Sequence, residues 1–217
     1  MSLFSQEIYQ LTSLALSELD ASQATGRTMR NALSEAHYLG AWVTTAIKKK
    51  RFDSIVLVTL QLWQKKARSL GKNAGLKEQF TYLQKCYNQI LDEKKESQAI
   101  NIEQFNTLYA ALTEQQWLVT TDLEVVDKLN RHSDGKDSLI VCAAQINNCF
   151  DEQGILIKPI SLYVRGNKQT AITLAFEQSI LLHKQTDYKS KVKYHGEFVV
   201  YPHNDGNFLP ELPKELN

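Results

Sequence analysis

The sequence predicts an α+β fold: an N-terminal antiparallel helical subdomain followed by a small, mostly antiparallel sheet with one packed helix. Three observations carry this. Apolar residues recur at helical spacing in five successive segments between Phe4 and Leu112. After Trp117 the pattern shortens to runs such as "LIVCAA" and "ILIKPISLYVRG", punctuated by "SDGKD" and "DEQG". The chain then alternates charged and apolar residues through "YKSKVKYHGEFVVYP" (188–202), as a half-buried strand does. The expected division is 1–116 for the helical subdomain and 117–217 for the α+β subdomain, unless the two fuse into one continuous compact domain.

The first helix carries Phe4, Ile8, Leu11, Ala15 and Leu19 on one face, and Gly26 is its stop. Leu39, Trp42, Val43, Ala46 and Ile47 stripe the second, which closes on "KKKR" (48–51), cations that suit the negative end of the macrodipole. "SIVLVTL" is β-branched enough for a strand, but Val56, Leu60, Trp63, Ala67 and Leu70 fit a helical face, and Gly71 ends it. Leu76, Phe80, Leu83, Tyr87 and Ile90 make the fourth helix. Asn101 and Gln104 form a capping box for the fifth, with Phe105, Leu108, Tyr109 and Leu112. Short joints between such helices favour an antiparallel bundle.

Leu139–Ala144 reads as a strand. Pro159 cannot donate to a ladder and is expected at an edge or bulge. Asn167 caps a helix whose apolar face runs Ala171, Ile172, Ala175, Phe176, Ser179 and Ile180, with His183 at its end. In the closing strand, parity sorts the side chains. Ser190, Val192, Tyr194, Gly196, Phe198 and Val200 fall on one face; Lys189, Lys191, Lys193, His195 and Glu197 fall on the other.

Composition narrows the function classes. Hydrophobic residues make up 43% and charged residues 23% of 217, a globular balance with a net charge of +1. Residues 44–80 hold nine Lys/Arg and two Asp/Glu, so charge is segregated although the total is not. Three cysteines without a CxxC pair argue against a disulfide framework and a zinc ribbon. No signal-peptide pattern opens the chain, and its longest apolar run, "IVLVTLQLW", is too short to span a bilayer. A reduced, cytoplasmic protein without membrane contact is expected.

Candidate anion-binding residues are Lys48, Lys49, Lys50, Arg51, Lys65, Lys66, Arg68 and Lys72 in the helical half, and Lys189, Lys191 and Lys193 in the closing strand. Tyr188 and Tyr201 would add stacking surfaces beside the latter, as in nucleic-acid grooves. The simpler reading, which the alternation alone satisfies without any ligand, makes these lysines the wet face of a strand, protecting an edge. A helix-turn-helix outline over the second and third helices fails, because Ile55, Val56, Leu57 and Val58 stand where a recognition helix needs polar residues. "GKNAGLK" lacks phosphate-loop spacing, and "RHSDG" (131–135) cannot assemble a triad from adjacent positions. A metal-dependent hydrolase or nuclease would draw on Asp187, Lys189, His195 and Glu197, helped by the acidic-x-Lys triplets at 134–136 and 187–189. His183, Asp187, His195, Glu197 and His203 match no established metal-ligand spacing, so neither a metal nor another cofactor is expected. Cys142 and Cys149 lie beside no evident base and read as packed thiols.

Through "WQKKARSLGKNAGL", "YVRGN" and "HKQTDYKSKVKYHGEFVVYP" the chain resembles an uncharacterised gammaproteobacterial family known only as a domain of unknown function. The resemblance implies a bacterial cytoplasmic protein and transfers no catalytic residue. The leading expectation is a non-enzymatic binding or regulatory protein whose basic surface meets an acidic partner, either nucleic acid or protein. The hydrolase stands as the alternative, and an interaction scaffold dimerising through an apolar helical face as a further one.

Overall fold

The computed structural model describes residues 3–130 and 135–214. Two compact units divide between Ser97 and Gln98.

The first unit is helical. It contains α1 (Phe4–Ala24), α2 (Ala32–Lys48), α3 (Leu57–Leu70) and α4 (Leu76–Ile90). Local chemistry sets the ends. Asn31 accepts the Ser34 N–H to cap α2, and Asp53 accepts the Ile55 N–H to start a 3-10 turn leading into α3. Gly71 and Gly75, at φ of 52° and 59°, turn the chain from α3 to α4 where a Cβ would be strained. The segment 56–70 is thus helical throughout α3, as its spacing predicts, although Leu70 itself is exposed. α1 packs on α4 and α2 on α3. Ile8, Leu11, Ala15, Leu19, Phe80 and Tyr87 are fully buried, and Trp63 meets Phe80 with ring centroids 4.7 Å apart. Each buried Ile, Leu or Phe among them contributes about 1.5–3 kcal/mol by leaving water.

The second unit begins with α5 (Ile102–Glu114), whose capping box of Asn101 and Gln104 is complete. Five strands follow: β1 (Leu118–Leu123), β2 (Ser138–Cys142), β3 (Ile160–Arg165), β4 (His183–Thr186) and β5 (Gly196–Val200). They stand in the order β1-β2-β3-β5-β4, antiparallel except for the β1/β2 pair. Two further helices are α6 (Ala143–Cys149) and α7 (Lys168–Glu177), the latter capped by Asn167. The α+β expectation holds, with three helices rather than one accompanying the sheet. α5 belongs with the sheet, and the compact units divide ahead of it and not at 116/117. Phe105, Leu108 and Leu112 pack against Leu139, Val141, Leu162 and Phe198, beside Ala171, Ile172 and Ala175 of α7. Periodicity shows that a helix has an apolar face; it does not say which surface covers it.

The opposite sheet face has a thinner cover. Ile140, Cys142 and Tyr163 meet Val125 from the segment after β1 and Val192 from the segment before β5. Parity alternates along β2, so Ser138 lies on this face with Ile140.

Several local expectations fail for identifiable reasons. The predicted strand 188–202 is regular only over Gly196–Val200. α7 stops at Glu177 because Ser179 turns to φ 58° while its N–H bonds the Phe176 carbonyl, so His183 opens β4 and does not end a helix. Pro159 sits immediately before β3, the central strand, where the ladder does not yet require its missing N–H. β1, β4 and α6 are not anticipated by the sequence pattern. "RHSD" (131–134) lies outside the described residues, and with it Asp134 of the 134–136 triplet.

Candidate functional site

The segment 187–195 lies on the second sheet face, and three buried residues hold it there. Val192 is fully buried against Ile140 and Tyr163. Leu129 and Val192 form a parallel bridge, in which the Leu129 N–H donates to the Lys191 carbonyl and the Lys193 N–H to the Leu129 carbonyl, both at 2.9 Å. Ser190 is the second anchor: its Oγ accepts from the Val192 N–H and shares its one proton between the carbonyls of Val192 (2.7 Å) and His195 (2.9 Å).

His195 is the third. Its Nδ1 lies 2.9 Å from the Lys193 carbonyl and its Nε2 3.0 Å from Ser138 Oγ. A carbonyl can only accept, so the proton sits on Nδ1, and Nε2 receives the Ser138 hydroxyl. Burial, aided by the Arg165 guanidinium, holds this imidazole below its ordinary pKa and keeps it neutral. A serine paired to a histidine in this tautomer has the form of an activated nucleophile. Both residues are buried, however (1% and 0% exposed), which seals the hydroxyl from any substrate. The pair acts as a latch between β2 and the segment above it.

The tight turn at 192–195 defeats strict parity. Tyr194 takes φ 67° as the His195 N–H bonds the Val192 carbonyl, so Tyr194 turns outward (58% exposed) and His195 inward. Lys189, Lys191 and Lys193 are exposed as expected, although on an irregular segment and not along a strand. Gly196 follows where β5 passes the end of β4, and a Cβ there would press on the Thr186 carbonyl at 3.1 Å. Tyr188 is 76% exposed, with Lys168 Nζ 4.9 Å from its ring centroid. Lys193 and Arg165 lie 4.8 and 5.8 Å from the Tyr194 ring. The local acid, Asp187, pairs with Lys168 at 2.7 Å and Lys184 at 3.8 Å, and these hold its carboxyl below the usual range.

Of the four residues of the alternative hydrolase site, three have other partners and one is exposed to solvent. Asp187 faces Lys168, Lys189 faces solvent, His195 binds Ser138, and Glu197 accepts the Ser161 hydroxyl at 2.9 Å. Among the described residues no group of three or more His, Cys, Asp or Glu is placed to hold a metal ion. His183 is buried between the rings of Tyr201 and Phe208, each 5.1 Å away and edge-on, with Gly206 so close that a Cβ would collide with the imidazole. Neither of its nitrogens makes a hydrogen bond of good geometry, although the Phe208 backbone is close enough to interact. Burial pushes its pKa down to about 4, an effect the Phe208 backbone offsets only in part.

In the first unit the basic candidates separate by role. Arg51 pairs with Glu18 and lies 5.1 Å over the Trp42 ring, and Lys66 donates to Gln79 Oε1 at 2.9 Å, so both are tied into the helix packing. Lys48, Lys49, Lys50, Lys65, Arg68 and Lys72 are exposed. At the start of α3, Val58 is 65% exposed, an apolar residue where a recognition helix would present a polar one. The cysteines are free and buried, and burial raises the Cys86 thiol to about 11. Sequence reasoning missed Ser138 and Ser190, since neither residue lies in a motif; only the fold brings them to His195.

No helix among the described residues is long and apolar enough to cross a membrane. Among curated proteins and among solved structures nothing matches the chain. A family model does match, over residues 3–213: the chain belongs to the family described as "Protein of unknown function (DUF2913)".

Proposed function

We propose that this DUF2913 protein is a non-enzymatic binding protein that holds a single-stranded nucleic acid on segment 187–195. The observation that carries the reading is the exposure of Lys189, Lys191 and Lys193 between two exposed tyrosines, Tyr188 and Tyr194. Three features support it. The lysines form no salt bridge among the described residues, so their charges are free to meet phosphate. The backbone beneath them is pinned by Ser190, Val192 and His195, which lowers the ordering cost of binding. Tyrosines interleaved with cations favour unpaired bases, which offer a ring to stack on, over an acidic protein, which does not.

Fluorescence anisotropy with labelled oligothymidylate at low salt tests this, against polyglutamate of equal charge. The oligonucleotide is expected to bind the more tightly, and Lys189→Glu/Lys191→Glu/Lys193→Glu to weaken its binding on the order of 100-fold. Equal or stronger binding of polyglutamate reassigns the surface to an acidic protein. Undiminished oligonucleotide binding by the triple variant removes segment 187–195 from the account.

A further inference from the structure

A second surface lies wholly within the helical unit. An open groove of about 470 Å³ runs between α2 and the α3–α4 turn. Its floor is small and apolar: Ala36, Gly40 and Ala41 of α2 face Ala67 of α3. α2 and α3 approach so closely here that a Cβ on Gly40 would stand 3.2 Å from that of Ala67. The lining residues of α2 extend from Leu33 to Thr45, about 18 Å of helix at 1.5 Å per residue, which is the length of a three-turn partner helix. At one end, Leu33 is 64% exposed and offers an apolar contact that nothing in the unit covers.

Charge distinguishes the occupant. Arg68 and Lys72 form the rim on the α3 side, and both are exposed without a salt bridge among the described residues. Lys48 and Lys49 follow Thr45 at the far end of α2. From Ala36 to Lys72 the sequence holds one acidic residue, Asp53, and its carboxylate is occupied in capping the Ile55 N–H. An apolar floor between unneutralised cations matches an amphipathic helix with a narrow stripe of apolar residues flanked by Asp and Glu. A nucleic-acid strand would use the cations and leave the apolar floor unfilled, and His37 is the one ring along the groove, with no Phe, Tyr or Trp to stack successive bases.

We infer that the α2/α3 groove docks an acidic amphipathic helix of a partner protein. The small floor residues let the partner backbone come close, its apolar side chains lie over Ala36, Gly40, Ala41 and Ala67, and its carboxylates meet Arg68, Lys72 and the lysines after Thr45. The site is separate in sequence and in unit from segment 187–195, so either reading can fail without the other.

The test uses the full chain and a designed probe: a fluorescent peptide of about 16 residues, roughly 24 Å as a helix, with leucines at helical spacing flanked by glutamates. A scrambled peptide of the same composition and a counterpart with lysine for glutamate are the controls. Binding by the acidic amphipathic peptide alone is expected. It should weaken about tenfold in Ala41→Trp, which fills the groove, and about tenfold in Arg68→Glu/Lys72→Glu. Unchanged helical circular dichroism confirms that each variant folds. Equal binding of the scrambled peptide, or no binding of the designed one, overturns the inference. So does a loss confined to the charge reversal, which would mean a polyanion patch that ignores the groove.

Discussion

Residues 48–72 of the helical unit hold eight Lys/Arg against one acid, and residues 187–195 hold three lysines against Asp187; by composition the first is the stronger basic surface. In the fold the two differ in what lies under the charge. Arg51 and Lys66 are bound into the bundle, and Arg68 and Lys72 edge a groove of small apolar residues. The lysines of 187–195 alternate with anchors that point into the sheet, and the tyrosines at either end point out. A count of cations therefore says little about a partner. The residues that alternate with the cations decide whether the surface suits an apolar helix or a chain of bases.

The largest expected effect separates the two units by acid sensitivity. His183 is buried and its pKa falls from 6.5 to about 4, whereas the one histidine of the helical unit, His37, is exposed. The unfolded chain takes up this proton as pH drops below 6.5, while the folded chain resists until about 4. Stability of the second unit thus falls with pH across that window, by roughly 3 kcal/mol in total, and His195, also lowered, adds in the same direction. Hydrogen exchange followed by mass spectrometry at pH 7 and pH 4.5 should show faster opening of 98–214 and little change in α1–α4. His183→Phe should flatten that response, since it removes the group that titrates. A wild-type profile flat from pH 7 to 4.5 would break the contrast.

Next comes charge reversal. Lys189→Glu/Lys191→Glu/Lys193→Glu should lower oligothymidylate affinity on the order of 100-fold at low salt. Lys65→Glu/Arg68→Glu/Lys72→Glu should leave it within about twofold, since those cations lack exposed tyrosines beside them. Similar losses in both variants would erase the distinction between the surfaces.

The latch has a smaller effect. Ser138→Ala removes the hydroxyl that His195 Nε2 accepts and should cost about 1–2 kcal/mol of stability. Chemical denaturation measures that cost, and faster amide exchange at 187–195 should accompany it. A fluorophosphonate probe should leave Ser138 unlabelled, because its hydroxyl is buried. The smallest expected effect is that of Tyr194→Ala, a loss of about 1 kcal/mol in oligonucleotide binding, or roughly fivefold. Anisotropy titration resolves it.

Where burial is periodic and local, the sequence alone is a good guide: α1 to α5, the Asn101–Gln104 box and the Asn167 cap all lie where spacing and capping chemistry place them. It misleads where tertiary packing imitates a local rule. Residues 189–193 alternate exposed and buried because an irregular segment lies flat on a sheet face, which gives the period of a strand without its ladder. The left-handed Tyr194 then shifts the phase, and no composition signal marks a tyrosine for positive φ. β4 is hidden for a similar reason: it is four residues long and mostly polar, and His183 is buried by rings that arrive from 201 and 208. The exposed lysines were legible as a surface. Ser138 was not, because its meaning depends on a histidine 57 positions away.

The most direct measurement of the central claim is the salt dependence of oligothymidylate binding. Three lysines meeting three phosphates predict that log K falls against log salt with a slope of about −2 for a single strand. The slope should approach zero in Lys189→Gln/Lys191→Gln/Lys193→Gln. Wild-type affinity that does not change with salt, or a triple variant that keeps the full slope, would contradict it.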